Sequence, residues 1–182
     1  VLDHIPVLII TGPVGVGKTV VAAAISDLLG DAGVPHAMVD ADQLRWCYPA
    51  LPDDRFRVAL GLRNLAAVWA NYHAAGAQRL VLADVVEQRS DVAGYQQAIP
   101  GAAIVVVRLR ASLATIERHL RGRETGASLD WHLHRAAELT ASMERHQVGD
   151  LLIETDGKPV DVIAREALAR VGWDDELADD GR

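Results

Sequence analysis

Two hydrophobicity patterns alternate along the chain. Short β-branched runs at Val7–Thr11, His36–Asp40, Arg79–Ala83, Ala103–Arg108 and Leu151–Thr155 read as strands. Val7-Leu8-Ile9-Ile10 and Ile104-Val105-Val106-Val107 are apolar without strict alternation, as strands buried on both faces are. Between the strands lie longer Ala-, Leu- and Arg-rich stretches. Val58, Leu62, Leu65, Trp69 and Tyr72 fall four and three apart and mark one face of a helix. Asp53 or Asp54 caps that helix and Gly76 ends it. Ser112 is placed to cap a helix to about Leu120, Asp130 another from Trp131 to about Val148, and Pro159 fits the first turn of a last helix to about Val171. Five strands alternating with helices predict an α/β fold, a parallel sheet with helices on both faces.

Composition narrows this picture. The chain has 182 residues, half of them hydrophobic and 24% charged, which suits one globular domain over residues 1–173. No apolar run approaches the roughly 18 residues of a membrane span. A single cysteine, Cys47, and no signal-peptide pattern lead to the expectation of a cytoplasmic protein, monomer or homodimer. Of the net charge of −7, −4 falls on residues 174–182, a short acidic tail expected to fray, and −3 on the rest. That balance is no footprint for nucleic acid, and no membrane partner is expected either.

Candidate chemistry begins at Gly12-Pro13-Val14-Gly15-Val16-Gly17-Lys18-Thr19, which fits G-x-x-x-x-G-K-[ST] between a buried-type strand and an Ala-rich helical stretch. Triphosphate oxygens need several backbone N–H groups converging on one point, and glycines permit that curvature. A helix starting near Lys18 and running through Val20 adds the positive end of its dipole. Lys18 is the expected partner of the β- and γ-phosphates, and the Thr19 hydroxyl a ligand of Mg²⁺. ATP with Mg²⁺ is therefore the expected cofactor. No Asn-Lys-x-Asp guanine-recognition motif and no Ser-Gly-Gly transporter signature occurs. The chain is also short for the two-domain ATPase machines, so small kinases remain.

In a parallel sheet ligands sit beyond the carboxyl ends of the strands. The second strand ends in Asp40-Ala41-Asp42 and the third in Asp84. Asp40 and Asp42, two apart on an extended chain, face the same side and suit a metal or an acceptor hydroxyl. Asp84 closes an apolar run as a magnesium-holding acid does, so Asp40 and Asp84 are alternative metal acids. Asp42 is the candidate to orient or deprotonate the acceptor, although it also precedes Gln43-Leu44-Arg45 in the manner of a simple helix cap.

Arg118, Arg121 and Arg123 stand at a helix end and the start of a Gly-flanked stretch, about residues 121–130, which is either a plain connection or a lid. Guanidinium groups closing over a transferring phosphoryl group stabilise its charge and exclude water. Arg118 alternatively stacks on adenine. Arg45 and Arg63 are the candidates for an anionic acceptor. Trp46, Trp69, Trp131 and Trp173 read as packing residues. His132 and His134, two apart on a helix, face different ways and have poor metal-ligand spacing.

These residues resemble the P-loop small-molecule kinases, the group of adenylylsulfate, gluconate, shikimate and nucleoside monophosphate kinases. The resemblance spans most of residues 5–173. Asp40-Ala41-Asp42-Gln43-Leu44-Arg45 is similar to the D-x-D-x-x-R of adenylylsulfate kinases and to the D-x-D of shikimate kinases. Arg63-Asn64-Leu65 resembles the acceptor-side helix of the former, Arg118 to Arg123 the lid arginines, and Thr155–Pro159, with Gly157, the adenine-contacting loop. The resemblance implies the three-layer P-loop NTPase fold with sheet order 2-3-1-4-5, and a kinase acting on a hydroxyl of a small-molecule acceptor. Asp84-Val85-Val86-Glu87-Gln88-Arg89 replaces both the Ser-Pro loop of adenylylsulfate kinases and the Gly-Gly-Gly of shikimate kinases. That leaves the acceptor open. A nucleotide or antibiotic phosphotransferase, or an ATP-binding switch without acceptor, are the rival readings.

Overall fold

The computed structural model describes residues 4–48, 52–54 and 56–175. Five parallel strands, β1 (Ile5–Thr11), β2 (His36–Asp40), β3 (Arg79–Ala83), β4 (Ala102–Arg110) and β5 (Leu151–Glu154), pair in the order β2-β3-β1-β4-β5. The strand at the centre shows why its sequence does not alternate. Leu8 and Ile10 enter the core under α1 (Lys18–Asp31) and α6 (Val160–Val171). Val7 and Ile9 enter the opposite core, under α2 (Val58–Ala74), α3 (Val92–Ala98) and α5 (Gly126–Arg145). Both faces are dry, so both parities must be apolar. α4 (Leu113–Arg121) sets Ile116 and Leu120 into the first core.

The caps follow local chemistry. The Ser112 hydroxyl accepts the Thr115 amide at 3.2 Å and starts α4. Asp54, not Asp53, serves α2: its carboxylate accepts the amides of Val58 at 2.6 Å and Leu60 at 3.1 Å. Asp130 is no cap. α5 begins at Gly126, so Asp130 lies inside it and the expected irregular stretch shrinks to residues 122–125. The Ser128 hydroxyl donates to Glu124 at 2.6 Å, which fixes a carboxylate beside the helix's positive end and favours the earlier start. Residues 176–182 of the acidic tail lie outside the described residues. No helix among those described is long and apolar enough to cross a membrane.

Candidate active site

The phosphate loop joins β1 to α1. Gly12 has φ 146°, and a Cβ there would stand 2.7 Å from the Leu109 carbonyl oxygen. At Gly15 (φ 84°) a Cβ would meet Leu120 at 2.9 Å. Both positions therefore exclude side chains, and the loop sits tightly on β4 and α4. Val16 is buried and turns its amide inward to Pro13 at 3.3 Å. The amides of Gly15, Gly17, Lys18 and Thr19 take no part in the hydrogen bonds that close the loop. Such donors at a helix start suit a polyanion. His119 of α4 braces the curve from outside, its Nδ1 3.0 Å from the Gly15 oxygen.

Lys18 folds back over the loop, donating to the carbonyls of Gly12 at 3.1 Å and Pro13 at 3.2 Å. Burial pulls its ammonium down to about 8, against the opposing pull of Asp42, Asp84 and Asp40. A cation so poorly solvated gains much from an arriving anion.

The Thr19 hydroxyl donates to Asp40 Oδ2 at 2.8 Å. This pair fits Mg²⁺, which takes hard oxygen donors and needs only one or two protein oxygens beside substrate phosphates. Asp42 reaches the same place by another route than strand periodicity. The chain turns after β2, Asp42 adopts helical angles, and its amide donates to Asp40 Oδ1 at 3.0 Å. Asp42 occupies the position before the 3-10 turn Gln43–Arg45 but makes no side-chain cap bond. Its carboxylate is 70% exposed, with Arg45 at 3.8 Å as its ion partner.

Asp84 is differently placed. Its side chain is 1% exposed and accepts from Arg45 Nη2 at 2.5 Å, Tyr95 Oη at 2.6 Å and the Val85 amide at 2.7 Å. Asp84 is thus committed to a buried cluster, whereas Asp40 lies beside Thr19 in the cleft. Gly61 lets α2 approach this cluster, since a Cβ there would stand 2.9 Å from the Arg45 side chain. Truncating Asp84 to Ala leaves the Arg45 charge and the Tyr95 hydroxyl buried without their partner. It is expected to cost about 3–5 kcal/mol of stability in urea titration. Unchanged stability with a raised Mg²⁺ requirement would instead make Asp84 a metal residue.

A cleft of about 600 Å³ opens over the loop and collects Lys18, Thr19, Val20, Asp40, Asp42, Arg45 and Arg123 from the expected set. Arg63 is not among its lining and is exposed on α2, whereas the adjacent Asn64 holds the 3-10 turn through the Leu44 carbonyl at 2.7 Å. Arg121 also stays outside the cleft, tied to Glu117 at 2.6 Å on the outer side of α4. Of the three arginines Arg118, Arg121 and Arg123, Arg123 lines the cleft. Arg121→Ala is therefore expected to leave turnover within about twofold, as exposed ion pairs contribute little. Arg123→Ala should lower kcat by about 10–100-fold in the same steady-state assay.

Arg118 separates from both. It lies beside the loop of Gly157 and Pro159, where Asp156 accepts the Ser112 amide at 2.9 Å. The Ser112 amide, the Thr115 hydroxyl and the Arg118 charge hold the Asp156 carboxyl below its ordinary range. Arg118 does not line the cleft that holds Asp42.

Several cleft residues escaped the sequence reading. Trp46 and Trp131, expected as packing residues, are 81% and 46% exposed and line the cleft; Trp69 is buried, and Trp173 packs under Arg79. Trp131, Arg135 and Leu139 face it at a spacing of four, a periodicity present in the expected helix but not read as a cleft face. His132 lines the cleft while His134 pairs with Glu138 in solvent. Arg57 holds φ 52° at the head of α2, with its Nε buried and unpaired. Strained backbone of this kind clusters at functional sites.

Strand order, phosphate loop and helices on both faces define the fold of the P-loop small-molecule kinases. The chain is similar to a gluconokinase from Sinorhizobium meliloti, at 22% identity over 97% of this chain and 93% of that one, TM-score 0.62. It resembles the Deinococcus radiodurans tunicamycin resistance protein at 20% identity, 92% and 95% coverage and TM-score 0.66. A Mycobacterium tuberculosis APS kinase matches at 22% identity, 93% and 99% coverage and TM-score 0.64. No protein-family model matches the chain, and no curated protein sequence matches it significantly.

Proposed function

We propose that the protein is an ATP- and Mg²⁺-dependent kinase that transfers the γ-phosphoryl group to a hydroxyl of a small molecule. The observation that carries this reading is the meeting of three parts in one cleft: the phosphate loop with Lys18, the Thr19–Asp40 pair, and the solvent-facing Asp42 carboxylate. The loop amides and Lys18 bind the polyphosphate. Thr19 and Asp40 are the oxygens that hold Mg²⁺, which when bound neutralises charge on the phosphates. Asp42 orients the acceptor hydroxyl and takes its proton as the new O–P bond forms and the bond to the ADP oxygen breaks. Arg123, close enough to Lys18 to depress its pKa, approaches from the α4–α5 connection. Arg118, Gly157 and Pro159 form the adenine side, and Arg45, fixed by Asp84, shapes the acceptor side.

An acceptor-free ATPase would have no use for Asp42 or for the half of the cleft beyond it. The test is ADP release from Mg-ATP with and without a panel of sugars, sugar acids, nucleosides and phenolic alcohols. Release stimulated by one acceptor class, with a phosphorylated product by mass spectrometry, supports the kinase. Hydrolysis indifferent to every acceptor, with no such product, rejects it.

A further inference from the structure

The cleft holds more aromatic surface than phosphate chemistry requires. Trp46 and Phe56 come from the connection between β2 and α2, and Trp131 from α5. These are among the largest exposed apolar side chains of the molecule, yet they gather at one polar opening. Exposed apolar surface rimmed by polar groups marks a binding site rather than packing.

The charged groups around the rings are largely committed. Arg45 is paired with Asp84, Arg135 with Glu87 while lying over Phe56 at 5.1 Å, and Glu124 with Ser128. A polyol needs an array of free donors and acceptors, and beside the rings this wall offers chiefly Asp42 and Gln43. What it offers is ring surface, together with the unpaired Nε of Arg57. On the proposed reading the adenine side is the loop beside Arg118, which leaves these rings free of the nucleotide base.

We infer that the acceptor carries a flat aromatic or heteroaromatic ring, seated against Trp46 and Trp131, with its reactive hydroxyl toward Asp42. The inference rests on the kinase reading for the hydroxyl and on the cleft lining alone for the ring.

The test compares ligands that differ only in the ring: phenyl against methyl β-glucoside, and uridine against ribose. Each is titrated calorimetrically with and without saturating Mg-AMPPNP. The ring-bearing member is expected to bind about tenfold tighter. Trp46→Ala combined with Trp131→Ala should erase that preference and leave the affinity for Mg-AMPPNP unchanged. Phe at both positions should restore most of it. Equal affinities within every pair, no binding of any ring-bearing member at about 10 mM, or a preference that survives the double Ala variant overturns the inference. Failure of Mg-AMPPNP to bind while the ring preference persists would instead overturn the kinase reading and leave the ring site standing.

Discussion

Lys18→Ala is expected to lower the rate of phosphoryl transfer by about a thousandfold or more while the melting temperature stays the same or rises. The two halves of this expectation have separate causes. Lys18 donates to the carbonyls of Gly12 and Pro13 and feels the charges of Asp42, Asp84 and Asp40, but its ammonium is poorly solvated there. Removing it relieves the fold and strips the polyphosphate of its nearest cation. A proton signature follows. With an ammonium pulled down to about 8, the free protein loses the Lys18 proton as pH rises through 8. A bound polyphosphate holds that proton on. Nucleotide binding should thus take up protons between pH 8 and the ordinary lysine range near 10.5, and far fewer at pH 7. For stability the sign is the same: charging a buried Lys18 costs the fold, so that penalty is present below pH 8 and fades toward 10.5. Calorimetry in buffers of different ionisation enthalpy reads the uptake, and Lys18→Ala should abolish it. Full turnover in the variant, or no uptake in the parent protein at pH 9, would refute the role assigned to Lys18.

The legible part of this molecule was the part in which local chemistry and global fold demand the same residues. β1 must be apolar at both parities and must end in a loop that only glycine can build at Gly12 and Gly15, so strand and phosphate site are written in one continuous stretch. The acceptor side has no such redundancy. Its residues come from the β2–α2 connection and from α5, elements whose mutual placement is a matter of tertiary packing. Arg63 carried the motif resemblance but points to solvent, while Arg57, six residues earlier, lines the cleft because the backbone turns at φ 52° before α2 begins. Arg135 and Trp131 share a helical face that periodicity alone could show, but that this face meets the cleft depends on where α5 packs. Asp84 shows the opposite limit. Its position after a strand was read correctly, but the buried Arg45 and Tyr95 that occupy it lie 39 and 11 residues away.

Asp42→Asn is the second large expected effect, a fall of about 10²–10⁴-fold in kcat with Mg-ATP affinity changed by less than about threefold. Two acids stand at the end of β2, and their surroundings give them different work. Asp40 is spent on the Thr19 hydroxyl through Oδ2 and on the Asp42 amide through Oδ1, so its carboxylate is fixed where an ion between Thr19 and the phosphates would need it. Asp42 makes one distant ion pair, with Arg45, acts on the Lys18 ammonium by its charge, and remains open to the cleft. Asparagine keeps the size and the carbonyl oxygen of Asp42 but cannot accept the acceptor's proton, so the loss falls on the chemical step. Asp40→Asn should show the reverse emphasis, a raised Mg²⁺ requirement with a smaller loss of kcat at saturating metal. The pair of variants is therefore more informative than either one. If Asp42→Asn instead raises the Mg²⁺ requirement and weakens nucleotide binding, the roles of the two carboxylates are exchanged. The base would then have to be sought at Glu87 or Glu124, which also line the cleft; the pairing of Glu87 with Arg135 would have to break to free it.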